Sequence, residues 1–162
     1  MRKTLTAIAT IALLLIFTSS YNSYNVDINI GSFAPNFEIA KEGKSTKLSE
    51  LRGNYVVVNF WTSDNAESRI RNIQYDRLFK ALDRNSNFIA INFDEIEGLQ
   101  KELIKVDKLS DKSQFHDGSG TDSEVYKSYH LESGMNSFLL DKDGKIIAIN
   151  PTKQQLTKYF CQ

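Results

Sequence analysis

The stretch Tyr55-Val56-Val57-Val58-Asn59-Phe60-Trp61 constrains this chain more than any other. It is apolar, β-branched and aromatic almost without a break, the signature of an interior strand of a parallel sheet. Thr62-Ser63-Asp64-Asn65 reads as a tight turn, and a helical pattern follows it. Asp64 and Glu67 stand at capping-box spacing, so Asp64 is predicted to accept from the first free N–H groups while Glu67 reaches back. Ala66, Ile70, Ile73, Leu78 or Phe79, and Leu82 recur at helical spacing and predict one apolar face.

The remaining segments alternate in kind. Glu42-Gly43 is a turn before a short strand at Ser45 to Leu48. After the first long helix, Asn85-Ser86-Asn87 is a break, and Phe88 to Phe93 is a second buried-type strand ending in Asp94-Glu95. Leu99, Leu103, Val106 and Leu109 are spaced for the buried face of another helix. Ser113 to Thr121 is polar and glycine-rich, hence loop, and Asp122 to Leu131 predicts a short helix with Val125 and Tyr129 inward. Asp141-Lys142-Asp143-Gly144 between two apolar runs is a hairpin signal in which glycine supplies the positive φ. Pro151-Thr152 opens a final helix with Leu156, Tyr159 and Phe160 on its apolar side.

Several of these segments carry a resemblance. The order strand, Asn59-Phe60-Trp61, four-residue gap, helix resembles the active-site segment of thioredoxin-like proteins. The nearest branch is the exported thiol–disulfide oxidoreductases of the TlpA/ResA type, which share a domain family with alkyl hydroperoxide reductases. Gly31-Ser32-Phe33-Ala34-Pro35-Asn36-Phe37 and Leu48-Ser49-Glu50-Leu51-Arg52-Gly53 are similar to that branch's opening motifs, which implies a first strand from Phe37 and a single helical turn closed by Gly53. The resemblance covers about residues 31–160 and implies a thioredoxin-like α/β fold. In that fold a central mixed β-sheet carries helices on both faces, with a C-terminal β-hairpin plus helix, as the alternation of elements also predicts.

Where the branch reads N-F-W-A-x-W-C-x-x-C-R, this chain keeps Asn59-Phe60-Trp61 and Arg69. The two cysteine positions fall on Asn65 and Ser68, and the second tryptophan on Asp64. The resemblance further implies a cis-proline before a strand, a tract that here reads Gly134-Met135-Asn136-Ser137-Phe138-Leu139 and places Met135 at the proline site. An acidic residue and a proline that the branch often carries after its second cysteine fall on Arg71 and Ile73. A cis bond before a residue other than proline costs ~3 kcal/mol, so a trans bond and a reshaped loop are expected at Met135.

The first twenty residues predict a signal peptide: Arg2-Lys3 as the basic start, Ala7 to Phe17 as the apolar core, and Thr18-Ser19-Ser20 as a small-residue cleavage site. That core is too short for a comfortable membrane span, so no membrane insertion is expected after cleavage. Residues 21–30 then form a leader and residues 31–162 one thioredoxin-like domain, working in the periplasm or on the outer face of the cytoplasmic membrane. The chain has a formal net charge of zero, and cleavage after Ser20 removes Arg2 and Lys3 to leave −2. Charges of both signs are interspersed, which argues against a nucleic-acid partner.

Export makes the cysteine count informative, because an oxidising compartment permits disulfides. The one cysteine is Cys161, beside the last residue. A single thiol forms no intrachain bond and cannot cycle between dithiol and disulfide. Thiol–disulfide exchange needs a thiolate and a second sulfur to resolve the mixed disulfide, and neither Asn65 nor Ser68 supplies one. Without a general base the Ser68 hydroxyl is a poor nucleophile, and Asn65 with Ser68 reads as a capped, solvated first turn.

His116 and His130 are isolated, no metal-ligand spacing is present, and no cofactor motif is visible, so neither a metal nor a cofactor is expected. The sequence therefore predicts a binding domain with no catalytic residue. The degenerate positions are Trp61, Asp64, Asn65, Ser68 and Met135, and Trp61, Glu67, Arg69, Arg71 and Met135 are candidates for docking an envelope protein or peptide. The alternative for the same cluster is that Trp61 is core and the charges are a solvated rim. A second function class, a thiol–disulfide or peroxide reductase working through Cys161 or a partner's thiols, requires Cys161 to be reactive.

Overall fold

The computed structural model describes residues 28–41, 43–84 and 87–161. The signal segment, the leader as far as residue 27, Glu42 of the first turn, and Asn85-Ser86 of the expected break lie outside the described residues.

A hairpin of β1 (Glu38–Lys41) and β2 (Lys44–Lys47) comes first and is followed by a 3-10 turn at Leu48–Leu51. The long apolar run forms β3 (Val56–Trp61), with every residue buried. Then come α1 (Ala66–Ala81), β4 (Phe88–Asn92), α2 (Glu97–Val106), β5 (Gln114–His116) and α3 (Glu124–Ser128). The chain ends in β6 (Ser137–Leu140), β7 (Ile146–Ile149) and α4 (Lys153–Phe160). The main sheet has the order β5-β4-β3-β6-β7, with β3 at its centre. β3 runs parallel to β4 and antiparallel to β6, so the sheet is mixed. This is the thioredoxin-like architecture expected from the residues.

Because successive strand residues point to opposite faces, β3 feeds two cores. Val56, Val58 and Phe60 join Phe37, Tyr129 and Phe138 under the β1–β2 hairpin and α3. Val57 and Trp61 join Tyr75, Phe79, Leu156 and Phe160 under α1 and α4. Helices thus cover both faces. The hairpin turn is as predicted: Gly144 has φ +85° and its N–H bonds Asp141 O at 3.0 Å. Thr152 and Gln155 close a capping box at the start of α4.

The helix faces differ from the expectation. In α1 the buried residues are Ser68, Asn72, Tyr75, Asp76, Leu78 and Phe79, while Ile70 is 55% exposed. The reason is a polar seam between α1 and the segment after α2. Asp76 is only 1% exposed and accepts from Ser110 N at 2.7 Å, with Lys80 Nζ 2.9 Å from its other oxygen. Asn72 donates to Gln114 Oε1 at 3.0 Å. Hydrogen-bonded polar side chains can occupy a buried face that periodicity assigns to apolar ones. In α2 it is Gln100 that turns inward, donating to Phe115 O at 2.9 Å, whereas Leu99 and Val106 face solvent. The expected helix over Asp122 to Leu131 is shorter, Glu124–Ser128 flanked by 3-10 turns, with Tyr129 buried as predicted.

The seam makes a prediction. Asp76→Ala strands the Ser110 N–H and the Lys80 ammonium, and should lower stability by about 2–3 kcal/mol in urea titration. Unchanged stability would mean that water satisfies those groups.

Each margin of the main sheet is covered over part of its length. Gly31 N bonds Ile146 O at 2.7 Å, Ile146 N bonds Ser32 O at 2.9 Å, and Ala34 N bonds Gly144 O at 3.0 Å, so residues 31–34 strap the outside of β7. On the other side the Lys41 ammonium bonds the carbonyls of Asp111 and Gln114 beside β5.

Candidate functional site

The C-terminal ends of β3 and β4 open into the turn at residues 62–65. Ser63 holds this turn to β4: its N–H and hydroxyl both donate to Asp94 Oδ1, at 2.9 and 3.0 Å. Asn92 donates to the other oxygen of Asp94 at 2.8 Å. One carboxylate thereby fixes where α1 starts.

The helix N-cap is Asn65, one residue later than the expected Asp64. Asn65 Oδ1 accepts from Ser68 N at 2.9 Å, and Ser68 Oγ donates back to Asn65 O at 2.9 Å. Asp64 is exposed, and Glu67 pairs with Arg71 at 2.6 Å and makes no return bond to a cap. Asparagine and aspartate are both strong caps, so their adjacency leaves the boundary uncertain by one residue at the sequence level. The first turn is capped as expected, but Ser68 is not solvated: it is fully buried. The positions that would carry the sulfur pair are bonded to each other instead, and the Ser68 hydroxyl also accepts from Thr62 N at 3.4 Å.

Arg71 and Met135 meet. Arg71 Nη1 donates to Met135 O at 2.8 Å, tying α1 to the loop that enters β6. From the other side Asn150 bonds that loop at Ser137 N, 2.9 Å, and at Asn136 Oδ1, 2.8 Å. Tyr75 Oη donates to Pro151 O at 2.6 Å and lies 3.1 Å from Ser137 Oγ. Burial raises the Tyr75 pKa and keeps the phenol protonated. No cis peptide bond occurs among the described residues.

Two of the predicted docking residues are placed elsewhere. Trp61 is 0% exposed and packs beneath α1, so it cannot present its ring to a partner. Arg69 turns to α2, where Nε and Nη2 each bond a carboxylate oxygen of Asp107 at 2.8 Å. That pairing raises the Arg69 pKa. What remains at the surface is a groove of about 630 Å³ between the 62–65 turn and the 131–135 loop. Phe93 and Leu131 are its buried floor, with Tyr126 and Met135 half-buried beside them. Sequence reasoning missed Glu95, Tyr126 and Glu132 as groove residues. The signal for Glu95 was its place just beyond a buried strand, since open α/β sheets gather sites at strand C-terminal ends.

Cys161 is exposed and follows Phe160, whose ring lies 6.3 Å from that of Tyr55. Tyr55 precedes β3, so the thiol lies at the far end of that strand from Ser68, a span of roughly 20 Å for six residues. Among the described residues no cluster of His, Cys, Asp or Glu is placed to hold a metal, and no helix is long and apolar enough to cross a membrane.

Comparison with known proteins agrees with this geometry. The thiol–disulfide oxidoreductase ResA of Bacillus cereus is 30% identical over 145 residues, covering 86% of this chain and 82% of that protein. ResA of Bacillus subtilis is 29% identical over 150 residues, with 86% and 80% covered. Among solved structures, a thioredoxin-like protein from Parabacteroides distasonis superposes with a TM-score of 0.67 at 35% identity, covering 83% of this chain and 96% of that one. A thiol–disulfide oxidoreductase from Bacteroides fragilis gives 0.64 at 30% identity, with 78% and 96% covered. Residues 30–149 match the AhpC/TSA family, and with the sheet order and the site just described the chain belongs to that thioredoxin-like family.

Proposed function

We propose that this protein is an exported, redox-inactive member of its family that binds a polypeptide partner of the cell envelope in the groove beside Met135. The observation that carries this reading is the mutual bonding of Asn65 and Ser68 where the chemistry would need two sulfurs. The exposed Cys161 at the far end of β3 has no second sulfur with which to exchange. Export rests on the basic, apolar and small-residue order of the first twenty residues. Of the predicted docking residues Met135 is kept in this reading by contact; Arg71 holds the loop, and Glu67 pairs with Arg71 outside the groove lining.

Two measurements test it. Insulin-disulfide reduction by the mature chain should match that of its Cys161→Ser variant and the blank. Turnover that disappears with Cys161→Ser would instead establish a one-cysteine reductase. For binding, a photo-crosslinking side chain at position 135 should join the chain to an envelope protein, while the same group at the exposed Arg84 should not. Equal crosslinking from both positions would remove the groove from the proposal.

A further inference from the structure

The groove has a floor and a rim of different chemistry. Asp64, Asp94, Glu95 and Glu132 line it, and among the described residues no Lys, Arg or His does. The chain as a whole has twenty basic and twenty acidic residues, so four carboxylates without a lining cation are a local excess. Asp94 is committed to Ser63 and Asn92, and Glu132 lies 3.4 Å from His130 Nδ1. Asp64 and Glu95 are exposed and make no hydrogen bond or ion pair among the described residues. Arg71 reaches the Met135 carbonyl, but its charge is taken by Glu67.

We propose that the partner segment held in this groove is a short peptide stretch rich in lysine or arginine. This deepens the docking function proposed above and rests on it. The carboxylates are spread along the rim and do not converge on a point: no three acidic, His or Cys side chains are placed to share a metal ion among the described residues. A distribution of that kind suits several cations on one chain better than a single ion. The floor adds a second requirement. Phe93 and Tyr126 meet edge to face with ring centroids 5.5 Å apart, and Leu131 and Met135 extend the apolar surface. Lysine and arginine satisfy both parts of the site, because their aliphatic stems lie on apolar surface while the charged head reaches outward. An acidic concavity with an apolar base also concentrates cationic ligands before contact. A volume of about 630 Å³ lies within the ~300–1,000 Å³ usual for ligand sites.

The test uses three fluorescent hexapeptides in which leucine alternates with lysine, glutamine or glutamate, read by anisotropy against the mature chain. The lysine peptide should bind most tightly, weaken as salt rises, and lose affinity by about tenfold or more in the Asp64→Asn/Glu95→Gln variant. The pair Glu50→Gln/Glu102→Gln, on exposed carboxylates outside the groove, should leave it unchanged. If the glutamine peptide binds equally well and Met135→Ala weakens it, the groove docks peptides but the cationic preference is wrong. If no peptide binds, or if none responds to the rim or to Met135→Ala, both the preference and the docking function fall.

Discussion

Asn65→Cys/Ser68→Cys, made in a Cys161→Ser background, is expected to reduce insulin disulfides at a rate at least roughly tenfold above the natural chain. The two positions straddle the first turn of α1, and residues three apart there have Cβ atoms ~5–6 Å apart, close enough for small adjustments to close a disulfide. The partial positive charge and free N–H groups of the helix start lower a cysteine pKa, which supplies thiolate near neutral pH. Position 65 is the partly exposed one and would carry the attacking sulfur, with buried position 68 resolving the mixed disulfide. The substitution also deletes the Asn65 cap, a loss of about 1 kcal/mol that leaves the fold intact. A variant that forms the disulfide but stays inert would assign the remaining deficit to the loop at Met135, and Met135→Pro in the same background should then raise the rate. Turnover by the natural chain that persists without Cys161 would contradict the proposed inactivity outright.

Trp61→Ala should lower stability by about 3–5 kcal/mol in denaturant titration. The side chain is 0% exposed and packs in the core under α1 and α4, so truncation leaves a cavity that a β-strand backbone cannot collapse to fill. Trp61→Phe should cost much less. The indole Nε1 has no hydrogen-bond partner among the described residues, so replacing it by a smaller ring removes an unsatisfied buried donor as well as volume. Similar losses for both substitutions would mean that an internal water bonds the indole. Any effect of Trp61→Ala on partner binding should then follow from lost stability, because the ring does not reach the groove.

The central strand, the turn after it and the order of elements were readable because they rest on strong local signals. A run such as Val56 to Trp61 has few alternatives to a buried strand, and Asp141 to Gly144 can hardly be other than a turn. The buried faces of α1 and α2 were misread for a specific reason. Asn72, Asp76 and Gln100 are polar, and only their partners Gln114, Ser110 and Phe115, distant in sequence, make their burial tolerable. Local spacing has no access to such pairings. The same limit applies to the site. The absence of a sulfur pair was visible residue by residue, whereas Arg69 bonding Asp107 across thirty-eight positions was not. Glu95 and Glu132 came together only once the sheet order set the two loops side by side.

The strap at residues 31–34 and the Lys41 contacts beside β5 bear on how the protein behaves when crowded. Exposed strand margins are where chains recruit one another into extended assemblies, and here the start of β7 has an occupant from within the same polypeptide while a lysine side chain sits beside β5. Growth by adding a neighbour's strand at residues 144–146 would first have to peel off this chain's own segment, so removing residues 31–34 should speed fibrillation of concentrated solutions.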